Sequence, residues 1–579
     1  MDKDLRLDQK TRMYIQNARY LALAAAISIS CGANAQLLQN VTIGNPKALA
    51  LGNAVTADPP GIDSIHFNPA GLAKIKGRQM NIKILAAHMT LDAEFGAPTE
   101  PGNVTKGTYY DISYGKPGCD GTDPDSGTPT QNELDTCWGE DPIANTSSSI
   151  SGPALMLPFV GFTEVPLLAF PSGGIAFEDS ARGWTFGTAV YSPQGIGYTR
   201  DDSLSNQTPG DPGAFQGVGV GVTRLTYFSP TVAIPISDRL AFGVGVNFSY
   251  QGMALDTYLR APLETTNFLT QLEDINEELG SPLGDDLYIL RPYDPIARLS
   301  LEMEDFLSVG FNFGILYEPY DWLSFGFLYQ SETTSQLSGD YKVENTPQFY
   351  DTYTALHHAG LDQAFFLLDG TTFNAERVET GTVELEYIMP QNISFGTSIR
   401  ILPNLKLNVD VKWVQYSVWD ELSFEFSNKV NFLNLSSVIY TLAPSLKDNA
   451  DPREMRIRRA YEDTWSIAIG GEYQLNDNVV LRAGYEPRGS AIPSTSADLL
   501  FPIGDADLFT AGFGWQMSST TRIDAAFGVL YSEQNIAACE SKNANTCNEG
   551  DVVYNPYYSM PFKTETIAYI GALSFDKKF

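Results

Sequence analysis

Apolar and polar residues alternate with a period of two over most of this 579-residue chain, the pattern of strands with two unlike faces. In TWSIAIGGEYQL (464–475), Trp465, Ile467, Ile469, Tyr473 and Leu475 share one face. Thr464, Ser466, Ala468, Gly470, Glu472 and Gln474 share the other. The C-terminal TIAYIGALSFDKKF (566–579) divides the same way, with Ile567, Tyr569, Leu573, Phe575 and Phe579 on the apolar side. A soluble β-sandwich also alternates, so the spacing of the turns has to decide. Six connectors are very short: 178–182, 236–238, 318–321, 401–404, 475–477 and 517–520. Between them lie seven long ones, near 95–160, 199–222, 257–304, 339–382, 426–463, 487–506 and 534–562. Six short turns and seven long loops predict fourteen strands, with both chain ends on the short-turn side. Bacterial outer-membrane β-barrels have this form, and closure removes the sheet edges that lipid does not tolerate. A single sandwich of this length would exceed the normal size of one domain.

The N-terminus follows a different pattern. Lys10, Arg12 and Arg19 precede the apolar stretch 20–30, and Ala33-Asn34-Ala35 offers small residues before Gln36. Residues 1–35 therefore read as a secretory signal peptide, too short to be a stop-transfer helix. Cys31 raises a lipoprotein alternative, but Ser28-Ile29-Ser30 lacks the usual aliphatic residue before it. Strands begin near RQMNIKILAAHMTLDAEF (78–95), so 78–579 is assigned to the barrel. Residues 36–77 are too few to fold alone. Their apolar residues Ile62, Ile65, Phe67, Leu72 and Ile75 favour packing over a disordered tail. The expected fold class is all-β: a transmembrane barrel with an N-terminal plug, or hatch, inside its lumen. The last strand ends on Phe579 with aromatics on its outward parity, which resembles the C-terminal assembly signature of outer-membrane proteins.

Charge and composition narrow the function. With 37 basic and 69 acidic side chains the net charge is −32, which excludes nucleic acid as a partner. Such acidity serves solubility or holds divalent cations. No run of 18 apolar residues offers a membrane helix. Cys119 and Cys137, and Cys539 and Cys547, form two local pairs in turn-rich stretches, read as loop disulfides of an exported protein. Enzyme readings find little support. His66, His88, His357 and His358 show no metal-binding spacing, and no Gly-x-Ser-x-Gly elbow is present. Neither metal nor cofactor is called for.

The stretch GNAVTADPPGIDSIHFNPAGLA (52–73) resembles the N-terminal hatch of the FadL/TodX-type outer-membrane transporters, through its small acidic segment and Phe67-Asn68-Pro69-Ala70. The resemblance returns at 464–493 and 501–531, and more loosely at 407–422. It implies a fourteen-stranded barrel that passes long-chain fatty acids or other hydrocarbon ligands by diffusion. The expected partners are then that ligand, outer-membrane lipid and lipopolysaccharide, with the chain acting as a monomer. It also implies a lateral exit at an inward kink of one strand, for which 162–174 with Pro166 and Pro171 is the candidate. Phe67, Asn68, Pro69 and Ala70 become the gate, with Asn68 expected to bond the luminal carboxylate of Glu486. The family's acid-acid-Ser-Pro segment is here YEPRGSAIP (485–493), a departure from the pattern at Glu486. By parity Arg482 and Arg488, and Lys412 on another strand, face the lumen as contacts for a ligand carboxylate. FLTQL (268–272) and Phe365, Phe366, Leu367 and Leu368 are candidates for a capture groove. An adhesin or receptor barrel with disulfide-pinned loops is the alternative from another class, and a water-filled porin a third.

Overall fold

The computed structural model describes residues 42–99, 141–205, 208–260, 293–358, 374–442, 451–547 and 555–579. The expected signal peptide, Cys119, Cys137, residues 268–272, and Phe365, Phe366, Leu367 and Leu368 lie outside the described residues. Fourteen antiparallel wall strands close on themselves, and several are made of two segments. They are β1 (Arg78–Phe95), β2 (Leu168–Asp179), β3 (Trp184–Thr199), β4 (Gly219–Phe228 and Thr231–Ser237) and β5 (Leu240–Arg260). Next come β6 (Pro295–Tyr320), β7 (Leu323–Gln330 and Thr333–Asn345), β8 (Val378–Met389 and Asn392–Leu402) and β9 (Leu405–Val414 and Glu421–Phe426). The wall ends with β10 (Glu454–Arg458 and Thr464–Gln474), β11 (Val479–Arg488), β12 (Ala506–Ser518), β13 (Thr521–Ile536) and β14 (Phe562–Lys578). Closure is made by β1 and β14, paired continuously from Gln79↔Lys578 to Phe95↔Phe562. All six short connectors fall at turns of one rim, and both ends of the barrel chain lie there.

The long connectors are shorter than the sequence suggests, because strands continue into them. β6 starts at Pro295 inside the expected loop 257–304, and β7 runs to Asn345 inside 339–382. The cause is a reversal of face along single strands. In the lower part of β6, Leu307, Val309, Phe311 and Tyr317 are exposed on the outside, while Ser308 and Asn312 are buried inside. In its upper part Leu299, Leu301 and Met303 are buried inside and Glu302 is exposed. The switch sits at a bulge where β5 and β6 change register between Ser249↔Ser308 and Gln251↔Asp305, and an extra residue turns every later side chain to the other face. Strands β7 and β8 carry the same upper pattern, with Leu337, Tyr341, Val343, Val383, Leu385 and Tyr387 buried. Asp340, Glu384 and Glu386 face outward there. The lower wall is built for lipid, and the upper wall for water around an apolar core.

Candidate ligand path

Residues 42–77 lie against the inward faces of the lower wall. They form a short helix α1 (Pro46–Ala50), capped by the Asn45 side chain, which accepts from Ala48 N. A second short helix, α2 (Ser64–Phe67), leads to a 3-10 turn, Pro69–Lys74. Asn68 is extended, with φ −176° and ψ 100°, as a residue before proline should be. Its side-chain oxygen accepts from Ala70 N, and its amide donates to Thr56 O at 2.8 Å and Ile315 O at 3.0 Å. The expected Asn68–Glu486 bond is therefore absent. The amide that donates to Glu486 belongs to Asn53, at 3.0 Å. The local cap consumes Asn68, and two backbone carbonyls satisfy its remaining donors.

Buried charges tie this segment to the wall. Asp410 Oδ2 accepts from the backbone N–H of Val55 at 2.9 Å and of Thr56 at 2.8 Å. Lys83 on β1 pairs with Asp63, which also accepts from the Asn45 amide at 2.6 Å. Glu486 accepts from Lys412 at 2.9 Å and from Arg488 at 2.6 Å. Arg482 is held by Glu472 at 2.7 Å and Asp524 at 2.6 Å. The three cations proposed for a ligand carboxylate, Arg482, Arg488 and Lys412, are thus all ion-paired with carboxylates of the protein itself, Lys412 and Arg488 sharing Glu486. Burial pushes the His66 imidazole down to about 3, and the Lys83 and Lys412 charges act in the same direction. His66 is consequently neutral at physiological pH.

Two cavities follow one another inside the wall. The upper is lined mainly by rings and apolar chains, among them Met253, Tyr387, Tyr416, Trp419, Tyr461 and Phe501. The lower is more polar, with Arg224, Asn247, Asn312, Gln330 and Asn392 in its lining, and His66 also lines it. Pro193 and Met389 line both. Arg224 is 4% exposed, and its guanidinium donates to the neutral Gln251 Oε1 at 3.4 Å. Among the described residues no carboxylate forms an ion pair with it. A buried cation without an ion-pair partner is costly, and this one lines the more polar cavity, which shares Pro193 and Met389 with the apolar one. Sequence reasoning missed it, since nothing in the stretch around Arg224 distinguishes it from the paired arginines.

At the same height the wall is interrupted. β2 and β3 pair from Asp179↔Trp184 only up to Gly173↔Val190. Above that, residues 168–172 of β2 pair with β1 alone. β3 resumes a partner on this side at Pro153↔Tyr198 and Gly152↔Thr199. Its other edge shifts register between Tyr191 and Gln194, around Ser192-Pro193. The register irregularity is therefore on β3, and the 162–174 candidate supplies the facing edge of the gap through residues 168–172 of β2. Pro171 sits on β2 at the edge of the gap, paired with Ile84, and Pro166 lies before β2. The ring of Phe170 fills the gap against Gly195, where a Cβ would lie 2.4 Å from the ring. Gly195 also lines the apolar cavity.

At the long-loop end Cys539 and Cys547 are bonded, with Cα atoms 4.8 Å apart. The loop they close packs on the connection after β11: Ser541 Oγ donates to Ala497 O, and the Asn543 amide to Ser496 O at 3.0 Å. Replacing Cys547 with serine is expected to destabilise this loop by about 2–3 kcal/mol. Limited proteolysis should cut near 537–560 faster, while the heat-dependent gel mobility of the barrel stays unchanged.

A closed barrel with an outward apolar belt, a buried N-terminal segment and an apolar lumen beside a wall gap is, as a class, an outer-membrane transport barrel. A sequence model described as outer membrane protein transport protein (OMPP1/FadL/TodX) matches residues 24–579. The chain belongs to that family, which comprises transporters and not enzymes, and it resides in the outer membrane. It is 22% identical over 349 residues to a long-chain fatty acid transport protein of Escherichia coli, a match spanning 60% of this chain and 65% of that relative's length. A Pseudomonas aeruginosa FadL homologue has a similar structure, with a TM-score of 0.61 at 16% identity, covering 94% of this chain and all of the other. The toluene transporter TbuX of Ralstonia pickettii gives a TM-score of 0.54 at 14% identity, covering 93% and 99%.

Proposed function

We propose that the protein takes up long-chain fatty acids by passive diffusion as a single chain. The hydrocarbon occupies the upper cavity, and the carboxylate pairs with Arg224. The ligand leaves sideways between β2 and β3, where Phe170 and Gly195 meet. The observation that carries this reading is Arg224: a buried guanidinium with no ion pair among the described residues, lining the more polar cavity next to the apolar one, suits an anionic head on a long apolar tail. Residues 42–77 act as the hatch. Phe67, Asn68, Pro69 and Ala70 form its hinge turn against β6, and the Asn53–Glu486 and Asp410 contacts hold it shut. The E. coli relative is described as a fatty acid transporter, which supports the substrate class. The rings of Tyr387, Tyr416, Trp419 and Tyr461 favour a second reading, neutral aromatic hydrocarbons, and the TbuX structure is described as a toluene transporter.

Uptake of radiolabelled oleate by cells with and without the chain tests the reading. An adhesin would leave uptake unchanged on deletion, and single-channel conductance would expose a water-filled porin. A Gly195→Leu variant tests the sideways route. Its side chain would push against the Phe170 ring and crowd the gap, and oleate uptake is expected to fall at least tenfold with heat-dependent gel mobility retained. Unchanged uptake would place the exit elsewhere.

A further inference from the structure

The connection between β1 and β2 contains a hairpin, Gly152–Leu157 and Gly161–Glu164, paired from Ala154↔Glu164 to Leu157↔Gly161. It lies on the outside of the barrel. Phe162 N donates to Glu302 Oε2 at 3.0 Å, and Glu302 is on the outward face of β6. The Phe162 ring covers Gly221 of β4, where a Cβ would lie 2.9 Å from the ring. Beneath the hairpin Tyr250, on the outer side of β5, is only 2% exposed and donates to Glu304 Oε2 at 3.0 Å. The hairpin therefore covers part of the polar upper wall and bonds its Glu302 carboxylate.

Its tip is different. Leu157-Pro158-Phe159-Val160 presents Phe159 at 87% and Val160 at 66% exposure, the first of these the most exposed large apolar side chain among the described residues. The tip ends where the lipid belt begins. Phe159 stacks on Phe306 at 4.8 Å, and from there Leu307, Val309 and Phe311 continue the outward apolar surface down β6. Two adjacent exposed apolar residues in water would be a liability. Contiguous with the belt, they extend the same lipid-facing surface.

We propose that this hairpin is an outer-leaflet anchor, its Phe159-Val160 tip inserted among the acyl chains of lipopolysaccharide. The hairpin's first strand is hydrogen-bonded to the top of β3, through Gly152↔Thr199 and Pro153↔Tyr198. The anchor thus ties the leaflet to the strand that carries the wall gap, and a ligand leaving there would meet acyl chains already ordered around the tip.

Photo-crosslinking in the outer membrane of intact cells tests the anchor. Phe159→p-benzoylphenylalanine is expected to give, on irradiation, an adduct that stains for lipopolysaccharide. Phe311→p-benzoylphenylalanine in the belt should do the same, and Asp340→p-benzoylphenylalanine on the upper outer wall should not. Crosslinks from position 159 only to β6, or only to phospholipid, would overturn the proposal when position 311 gives the lipopolysaccharide adduct. Should the position 159 variant lose the barrel's heat-dependent gel mobility, Val160→p-benzoylphenylalanine decides by the same criteria.

Discussion

Replacing Arg224 with leucine is expected to weaken binding of dodecanoate roughly 10- to 100-fold while leaving binding of dodecanol nearly unchanged. The guanidinium is buried and, among the described residues, forms no ion pair with a carboxylate; Asp305 acts on it only at longer range, so a ligand carboxylate would be its only directly bonded counter-charge. A hydrogen bond to a charged group contributes about 1.5–3 kcal/mol, and each 1.4 kcal/mol is about tenfold in affinity. The same substitution should not destabilise the empty barrel. It removes an uncompensated charge from a secluded site, which is neutral or favourable, so the thermal midpoint is expected to hold or rise. Arg224→Lys keeps the charge but loses the planar fork, and should retain part of the discrimination. Calorimetric titration of the purified protein with both ligands reads the result. Equal losses for acid and alcohol, or none, would remove Arg224 as the carboxylate contact.

Asp410→Ala is expected to loosen the N-terminal segment inside the barrel. Its Oδ2 takes the backbone N–H groups of Val55 and Thr56, and both would be left buried without an acceptor. Each orphaned donor costs about 1–3 kcal/mol, so local opening should become easier by about 2–6 kcal/mol. Hydrogen exchange at Val55 and Thr56 should accelerate at least about 30-fold. If the segment is the hatch, cells carrying the variant should also become sensitive to vancomycin, which an intact outer membrane excludes. Asp410→Asn retains an acceptor oxygen and should fall between the two. Unchanged exchange at both amides would show that the segment is held by its other contacts, chiefly Lys83–Asp63 and Asn53–Glu486.

How far the sequence could be read depended on whether a feature is local. Turns such as 318–321 and 475–477 are written in adjacent Asp, Asn and Pro residues, so the strand count and the rim holding both chain ends were legible. The upper halves of β6, β7 and β8 were not. There the apolar face points inward, and one bulged residue near Asp305 carries the alternation from one rule to its opposite. A reader following a single parity sees the pattern dissolve and infers a loop. The gate illustrates a second limit. Asn68-Pro69 predicts a capped turn, and the cap is present. Which asparagine meets Glu486 depends on how the segment threads the lumen, and Asn53 and Asn68 are equivalent to the eye. Arg482, Arg488, Lys412 and Arg224 are all inward cations by parity. What separates Arg224 is that, among the described residues, no carboxylate of a neighbouring strand pairs with it, a property of assembly and not of spacing.

The inversion of faces along β6 also divides the protein by temperature. Below the bulge the outward apolar residues meet lipid, an apolar medium whatever the temperature. Above it Leu299, Leu301, Met303, Leu337 and Val343 are kept from water, and the force that keeps them so weakens on cooling. Chilling should therefore soften the upper storey while the lower one stays rigid. The apolar cavity is lined largely by residues of that upper storey, so cold would slacken the ligand chamber first, in a barrel that remains closed beneath it.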